Sequence, residues 1–419
     1  MADISAFRGI HYNMDLISNL SSVVSPPYDV ISPEERDRLY ARDPHNVVRI
    51  ILQRLAADES PSDGHARAGE VWGVWRRSGI LVEDAEPALY VYRQSFTSPL
   101  SGATTSRTAF LCALKLVPYE DGVVLPHEHT KAAAKADRLG LMRATAANVE
   151  PIMGLYEDPG QRIIGALTGA TGGTPPMLRA DVDGDVHEVW AVTEPHVLEK
   201  VRAEMAARRI WIADGHHRYE TALNYSREYP AADRIMIALI PFEAPGLVVL
   251  PTHRIVRGLT DEDVDDLLGE MARLFEMAEV RDASDIESMV SGMRSAEGSF
   301  VVASRGGFWR ARLRDDSDLR EAARDRSDAW RSLDVSILQT LVLDPLMEGS
   351  ATEVGYTRHA DEAVAQVQAG EAPVAFLVGF PSADDLRAVT SAGDRMPPKS
   401  TYFEPKLWSG LLMRRLDEQ

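Results

Sequence analysis

Apolar positions recur along the chain in two spacings, and the switches between them predict alternating strands and helices. Near-continuous or period-two apolar runs, rich in β-branched and aromatic residues, predict strands at 88–94, 109–116, 188–192, 210–213, 234–240, 247–250 and 373–378. Trp309, Ala311 and Leu313 alternate with Arg310 and Arg312, the signature of a half-exposed strand. Helical spacing predicts helices over 64–77, within 131–148, over 195–208, from 216 onward, and over 261–279, 330–343 and 383–390. Ser32-Pro33-Glu34-Glu35 reads as a helix start: a hydroxyl cap, a proline in the first turn and a glutamate to reach back. Residues 1–30 read as irregular, ending in the stiff turn Ser25-Pro26-Pro27-Tyr28-Asp29. The Gly/Thr/Pro-rich stretch 165–176 reads as a surface loop. The fold class is α/β (α+β).

At 419 residues, 45% hydrophobic and 26% charged, the chain has room for a large core and for two or three domains. The expected divisions are an N-terminal extension at 1–87, a core at 88–258 and a C-terminal α/β domain at 259–419. Asp and Glu number 64 against 45 Lys and Arg, a net charge of −19. That balance argues against a nucleic-acid partner, whose binding rests on neutralised phosphates. A local basic pocket for a small anion remains compatible with it. The single cysteine, Cys112, excludes an internal disulfide or a thiolate metal cluster and reads as a small buried apolar residue. The start of the chain lacks a signal-peptide pattern, and no run approaches 18 apolar residues. The expectation is a cytoplasmic protein without a membrane partner. Neither a Gly-Lys-Ser/Thr cradle nor a GxGxxG fingerprint occurs.

Three polar segments carry candidate chemistry. In the first, the apolar run 210–213 delivers Asp214-Gly215-His216-His217-Arg218 at a helix start. Gly215 lets the backbone turn sharply, the helix N–H groups attract an anion, and Arg218 can grip phosphate. Asp214 suits a divalent cation or the orientation of a histidine, and as a plain structural residue it would cap the helix. In the second, Pro126-His127-Glu128-His129-Thr130 precedes Lys131, Lys135 and Arg138, and Glu128 suits a base that takes a proton from a hydroxyl. Its two histidines with Glu128 also suggest zinc, although HExxH is absent. The third, Pro397-Pro398-Lys399-Ser400-Thr401, offers an ammonium and two hydroxyls from a proline-stiffened loop. Lysine is scarce in this chain. Of only six, Lys131, Lys135, Lys399 and Lys406 fall in or beside the second and third segments.

Taken in order, these three segments resemble the free L-serine kinase family, which makes O-phospho-L-serine on a ParB/sulfiredoxin-like fold. With Ser25–Asp29 near the start, the longer architecture resembles the DUF1015 family along essentially the whole chain. The kinase resemblance is confined to about 125–130, 210–225 and 373–405. It implies a ParB/sulfiredoxin-like core, ATP or ADP as co-substrate, Mg2+, and a small amino-acid acceptor. It assigns Glu128, Asp214 and His217 to catalysis, with Asp214 also as the metal ligand. Gly215, His216, Arg218, Lys399, Ser400 and Thr401 are expected on the nucleotide, and His127, Lys135, Arg138, Tyr28 and Asp29 on the substrate. A homodimer is compatible with it. One departure leaves the acceptor open: Tyr402-Phe403 stand where the kinases carry Arg-His. Sulfiredoxin chemistry is excluded because His216 occupies the place of its cysteine. Two other readings are a nucleotide-binding switch without kinase activity and a metal-dependent hydrolase built on His127, His129, Asp214, His216 and His217.

Overall fold

In the computed structural model, which describes residues 1–281, 284–295, 297–347 and 352–416, the chain divides into two units. Unit 1 comprises Met1–Pro126, Thr130–Leu247 and Pro405–Gln419, and unit 2 comprises His127–His129 and Val248–Glu404. The class is mixed α/β, as the alternating periodicity implies.

Unit 1 is built on a nine-stranded mixed sheet. Its path runs Val124–Leu125, Ile210–Asp214, Ile152–Tyr156, Arg234–Pro241, Thr104–Lys115, Leu89–Thr97, Asp185–Val192 and Leu178–Val182, with Ile4–Ser5 beside Thr104–Lys115. The strands predicted in this region all appear. Phe110, Cys112 and Leu114 pack with Ile163, Leu167, Val197, Val201 and Met205 of the covering helices. Each such side chain, fully buried, contributes roughly 1.5–3 kcal/mol. Burial pushes the Cys112 thiol pKa well up, so it packs as a small apolar group.

Unit 2 carries a six-stranded antiparallel sheet in the order Phe275–Val280, Gly307–Leu313, Ser299–Ser304, Val374–Val378, His253–Arg257 and Glu353–Thr357. Its core joins Ile255, Val301, Ala375 and Leu377 to Val290 and Val367 of two helices. A short antiparallel pair, Val248–Leu250 with Tyr402–Glu404, anchors the end of the third motif segment.

Three expectations are corrected. The stretch 165–176 is not all loop: Arg162–Ala170 is a helix, with Ile163 and Leu167 one turn apart in the core. The buried Asp158 carboxylate caps it, accepting from the N–H groups of Arg162, Ile163 and Ile164. The helix expected over 261–279 stops at Leu274, and Phe275–Val280 becomes an edge strand paired with Gly307–Leu313. The helix expected over 330–343 is broken into Asp328–Arg331, Asp334–Leu338 and a π-turn at Gln339–Leu343. The helix start at Ser32 is as expected, its hydroxyl accepting from Glu35 N–H.

Candidate functional site

In unit 1 the strand Ile210–Asp214 is buried, and a register shift between Ile212 and Asp214 breaks its pairing with Ile152–Tyr156. Such an irregularity re-aims the side chain that follows it. Gly215 then turns the chain at φ 91°, and the helix His216–Glu228 begins with no side chain capping it. A Cβ on Gly215 would lie 2.6 Å from Ile152 Cγ2, so both the turn and the close packing require glycine.

Charge fills this corner. One Asp214 oxygen accepts from Arg218 at 2.9 Å, and the other meets Lys406 Nζ at 3.2 Å. Burial alone would raise the Asp214 pKa, but Lys406 and Arg218 outweigh it and hold the carboxyl at about 2. Arg218 also donates to the Pro151 carbonyl at 2.7 Å. Although burial opposes its charge, Glu150, Asp214, Asp29 and Tyr28 raise its pKa above the ordinary arginine value.

The Ser25–Asp29 turn belongs to the same neighbourhood. Tyr28 N–H donates to Glu150 at 3.1 Å, and the Arg138 guanidinium lies over the Tyr28 ring at 4.0 Å. Burial, opposed by Arg218, pushes the Tyr28 hydroxyl pKa up to about 12. Arg138 is held by both of its contacts to Asp137 (3.0 and 2.6 Å) and by the Ile51 carbonyl at 2.8 Å. Tyr28, Asp29, Arg138, Asp214 and Arg218 are thus brought together. Glu150 was missed. It is a buried carboxylate shared by Tyr28 N–H, Ser409 Oγ and the nearby Arg138, and nothing local in Asn148-Val149-Glu150-Pro151 signals that role.

Two further candidates lie beside this corner, His217 on the first turn of the corner helix and Lys135 on the helix Ala132–Thr145. His217 Nε2 accepts from Lys131 N–H at 2.9 Å, which places its ring proton on Nδ1 when neutral. Lys135 Nζ meets Glu220 at 2.8 Å, and Thr130 Oγ1 donates to the same Glu220 oxygen at 2.6 Å. His216 is buried.

In unit 2, His127 is buried and its Nε2 lies 2.9 Å from Thr401 Oγ1, while its carbonyl accepts from Met396 N–H. Ser400 is buried with its hydroxyl on the Pro397 carbonyl, and Lys399 is exposed in the left-handed region at φ 58°. Such a conformation costs a non-glycine residue about 1 kcal/mol or more, so the surrounding loop enforces it. Glu128 is half-buried. The missed residue here is Arg254, fully buried on the strand His253–Arg257 and bonded to the carbonyls of Thr252 and Pro398. Burial lowers its pKa to about 10, with Tyr356 and Glu128 opposing.

Compared with known proteins, residues 4–336 match the family model described as a protein of unknown function, DUF1015. The chain belongs to the DUF1015 family. The Lys399–Thr401 loop of this DUF1015 chain lies beyond the matched residues. Among curated proteins, none matches the sequence. Solved structures similar to it include a conserved hypothetical protein from Pyrococcus furiosus, 14% identical over 68% of this chain and 89% of that one, at a TM-score of 0.36. A free serine kinase in complex with AMP is 13% identical over 67% of this chain and 84% of its own, at 0.38. SbnI with a C-terminal truncation, from Staphylococcus aureus, is 13% identical over 71% and 85%, also at 0.38.

The metal expectations meet an obstacle in the chain itself. Both Asp214 oxygens already face cations, so this carboxylate does not fit the direct Mg2+ ligand assigned to it from the sequence. Among the described residues, no three His, Cys, Asp or Glu side chains approach closely enough to hold a metal ion. No helix among the described residues is long and apolar enough to cross a membrane.

Proposed function

We propose that this chain is a phosphotransferase that moves a phosphoryl group from ATP or ADP to the hydroxyl of free L-serine or a similar small amino acid. The observation that carries the reading is the start of the helix His216–Glu228. It is uncapped, follows a buried strand through Gly215, and has Arg218 within its first turn. Such a helix start presents N–H groups and positive dipole to an anion, and a polyphosphate supplies one. The resemblance of the motif order, Pro-His-Glu then Asp-Gly-His-His-Arg then Pro-Lys-Ser-Thr, to that of the free L-serine kinases favours phosphoryl transfer among the reactions of such anions.

In this reading Glu128 takes the proton from the acceptor hydroxyl. The freed oxygen attacks the terminal phosphorus, the bond to the bridging oxygen breaks, and the departing nucleotide carries the electron pair. Phosphoryl transfer asks the protein for positioning and charge neutralisation rather than covalent help. The helix start and Arg218 meet the charge of the phosphates. Asp214 acts by holding Arg218 in place, and His217 fixes the Lys131 backbone beside the helix start. Lys399, Ser400 and Thr401 are assigned to phosphate, and His127 orients Thr401.

The test is product formation. Purified protein with L-serine, Mg2+ and either ATP or ADP is expected to yield O-phosphoserine. Glu128→Gln is expected to lower that rate by about 10²–10⁴-fold, the usual range for removing a general base. Absence of phosphoserine with both donors removes serine as acceptor, and full turnover in the Gln variant removes Glu128 as base.

A further inference from the structure

Within unit 1, the segment that bears Lys406 is gripped from below by a buried polar cluster on the large sheet. Gln94 and Arg107 are direct partners on neighbouring antiparallel strands, and His187 pairs with Gln94 from the other side. Directly paired residues share a face of a sheet, so these three project the same way, joined by Tyr92 two positions before Gln94. Gln94, Arg107 and His187 are each at most 1% exposed.

Polar groups buried this deeply on an otherwise apolar sheet need partners, and they find them in the returning chain. Arg107 Nη2 donates to Gln94 Oε1 at 2.6 Å and to the Pro405 carbonyl at 2.5 Å. With its oxygen so used, the Gln94 amide turns its NH2 to the Lys406 carbonyl at 2.9 Å. Tyr92 hydroxyl lies 2.8 Å from His187 Nδ1, while the His187 ring tilts against Trp408 at 5.3 Å. Consecutive carbonyls on either side of the Lys406 N–Cα unit are therefore fixed, and the long side chain is aimed at Asp214, 3.2 Å away.

We propose that Gln94 and Arg107 are positioning residues that fix Lys406 as a phosphate-binding cation of the Asp214–Arg218 corner. This rests on the phosphate role proposed above for that corner and deepens it. The Lys406 ammonium is a compact charge with three donors, so it can keep Asp214 and still donate to a phosphate oxygen.

The test titrates inorganic pyrophosphate, ADP and adenosine into the full-length chain by calorimetry. Wild type is expected to bind pyrophosphate and ADP. Lys406→Met is expected to weaken both at least tenfold and leave any adenosine affinity unchanged, with Lys406→Arg recovering part of the loss. Lys406→Gln answers the same question if the Met variant does not fold. Gln94→Glu keeps the acceptor for Arg107 but withdraws the donor to the Lys406 carbonyl, and a threefold to tenfold loss is expected. Gln94→Met removes both contacts and serves as the second variant at that site. The double variant Gln94→Glu with Lys406→Met should bind no more weakly than Lys406→Met alone, because both act through one ammonium. Fully additive losses overturn the positioning role. Unchanged pyrophosphate affinity in Lys406→Met, with wild-type binding intact, overturns the inference alone and leaves the proposed phosphotransferase standing. A wild-type chain that binds neither pyrophosphate nor ADP overturns both.

Discussion

In unit 1 the motif side chains are locked by charge: Asp214 faces Arg218 and Lys406, and Glu150 lies among Tyr28 N–H, Ser409 and Arg138. In unit 2 the corresponding loops are held by hydroxyl and backbone-carbonyl contacts, His127 to Thr401, Ser400 to the Pro397 carbonyl and Arg254 to the Pro398 carbonyl. A buried charge network is costly to break, since removing one member strands the others in a low dielectric. A typical hydrogen bond is worth about 1 kcal/mol net, so loops held that way rearrange cheaply. A rigid charge network keeps its dipoles fixed, whereas a loop held by single hydrogen bonds shifts at lower cost.

The largest effect that could break this contrast is on stability in unit 1. Arg218→Met leaves one Asp214 oxygen without its cation and removes a positive charge that Glu150 faces, and chemical denaturation is expected to show a loss of about 3–5 kcal/mol. A loss below about 1 kcal/mol would mean the network contributes as little as an exposed pair.

Acid titration sharpens the contrast next. Asp214 has its pKa lowered to about 2, so its contribution to stability is present above the ordinary carboxyl value and is lost as pH falls through 2. Unit 2 holds a carboxylate of the opposite kind. Asp334 is buried, one oxygen accepting from Gly298 and Ser299 N–H and the other without a partner among the described residues, and burial raises its pKa to about 7. Between the ordinary 3.8 and about 7 the folded form binds more protons than the unfolded one, so stability falls as pH rises through that window. Asp334→Asn is expected to stabilise the protein by about 1–3 kcal/mol at pH 8 and by almost nothing at pH 3.

The smallest effect is expected at the contact between His127 and Thr401. Thr401→Val should cost about 1 kcal/mol by removing the hydroxyl contact to the buried His127 ring. A cost of 3 kcal/mol or more would put this loop in the same rigid class as the corner.

What the sequence made legible was chiefly local. The turn at Gly215, the cap at Ser32 and the apolar strand 210–213 follow from neighbours in the chain, and each appears where its residues indicate. The helix Arg162–Ala170 escaped because Gly165, Thr168 and Gly169 lower its propensity, while the Asp158 cap and the burial of Ile163 and Leu167 restore it. The edge strand Phe275–Val280 escaped because its partner, Gly307–Leu313, lies some thirty residues on. At the site, the motif residues were visible, but the residues that hold them were not. Glu150 depends on Ser409, 259 positions away, and Gln94 on Lys406, 312 positions away. Arg254 drew no reading from the sequence, since no strand was expected over 253–257, and only tertiary packing buries it.

Hydrogen exchange at the start of the corner helix tests the central claim most directly. With saturating ADP, the backbone amides of His216, His217 and Arg218 are expected to exchange at least tenfold more slowly than in the free chain, as N–H groups bonded to phosphate do. Bound ADP that leaves those three amides at their free rates, while protecting amides elsewhere, would contradict the account.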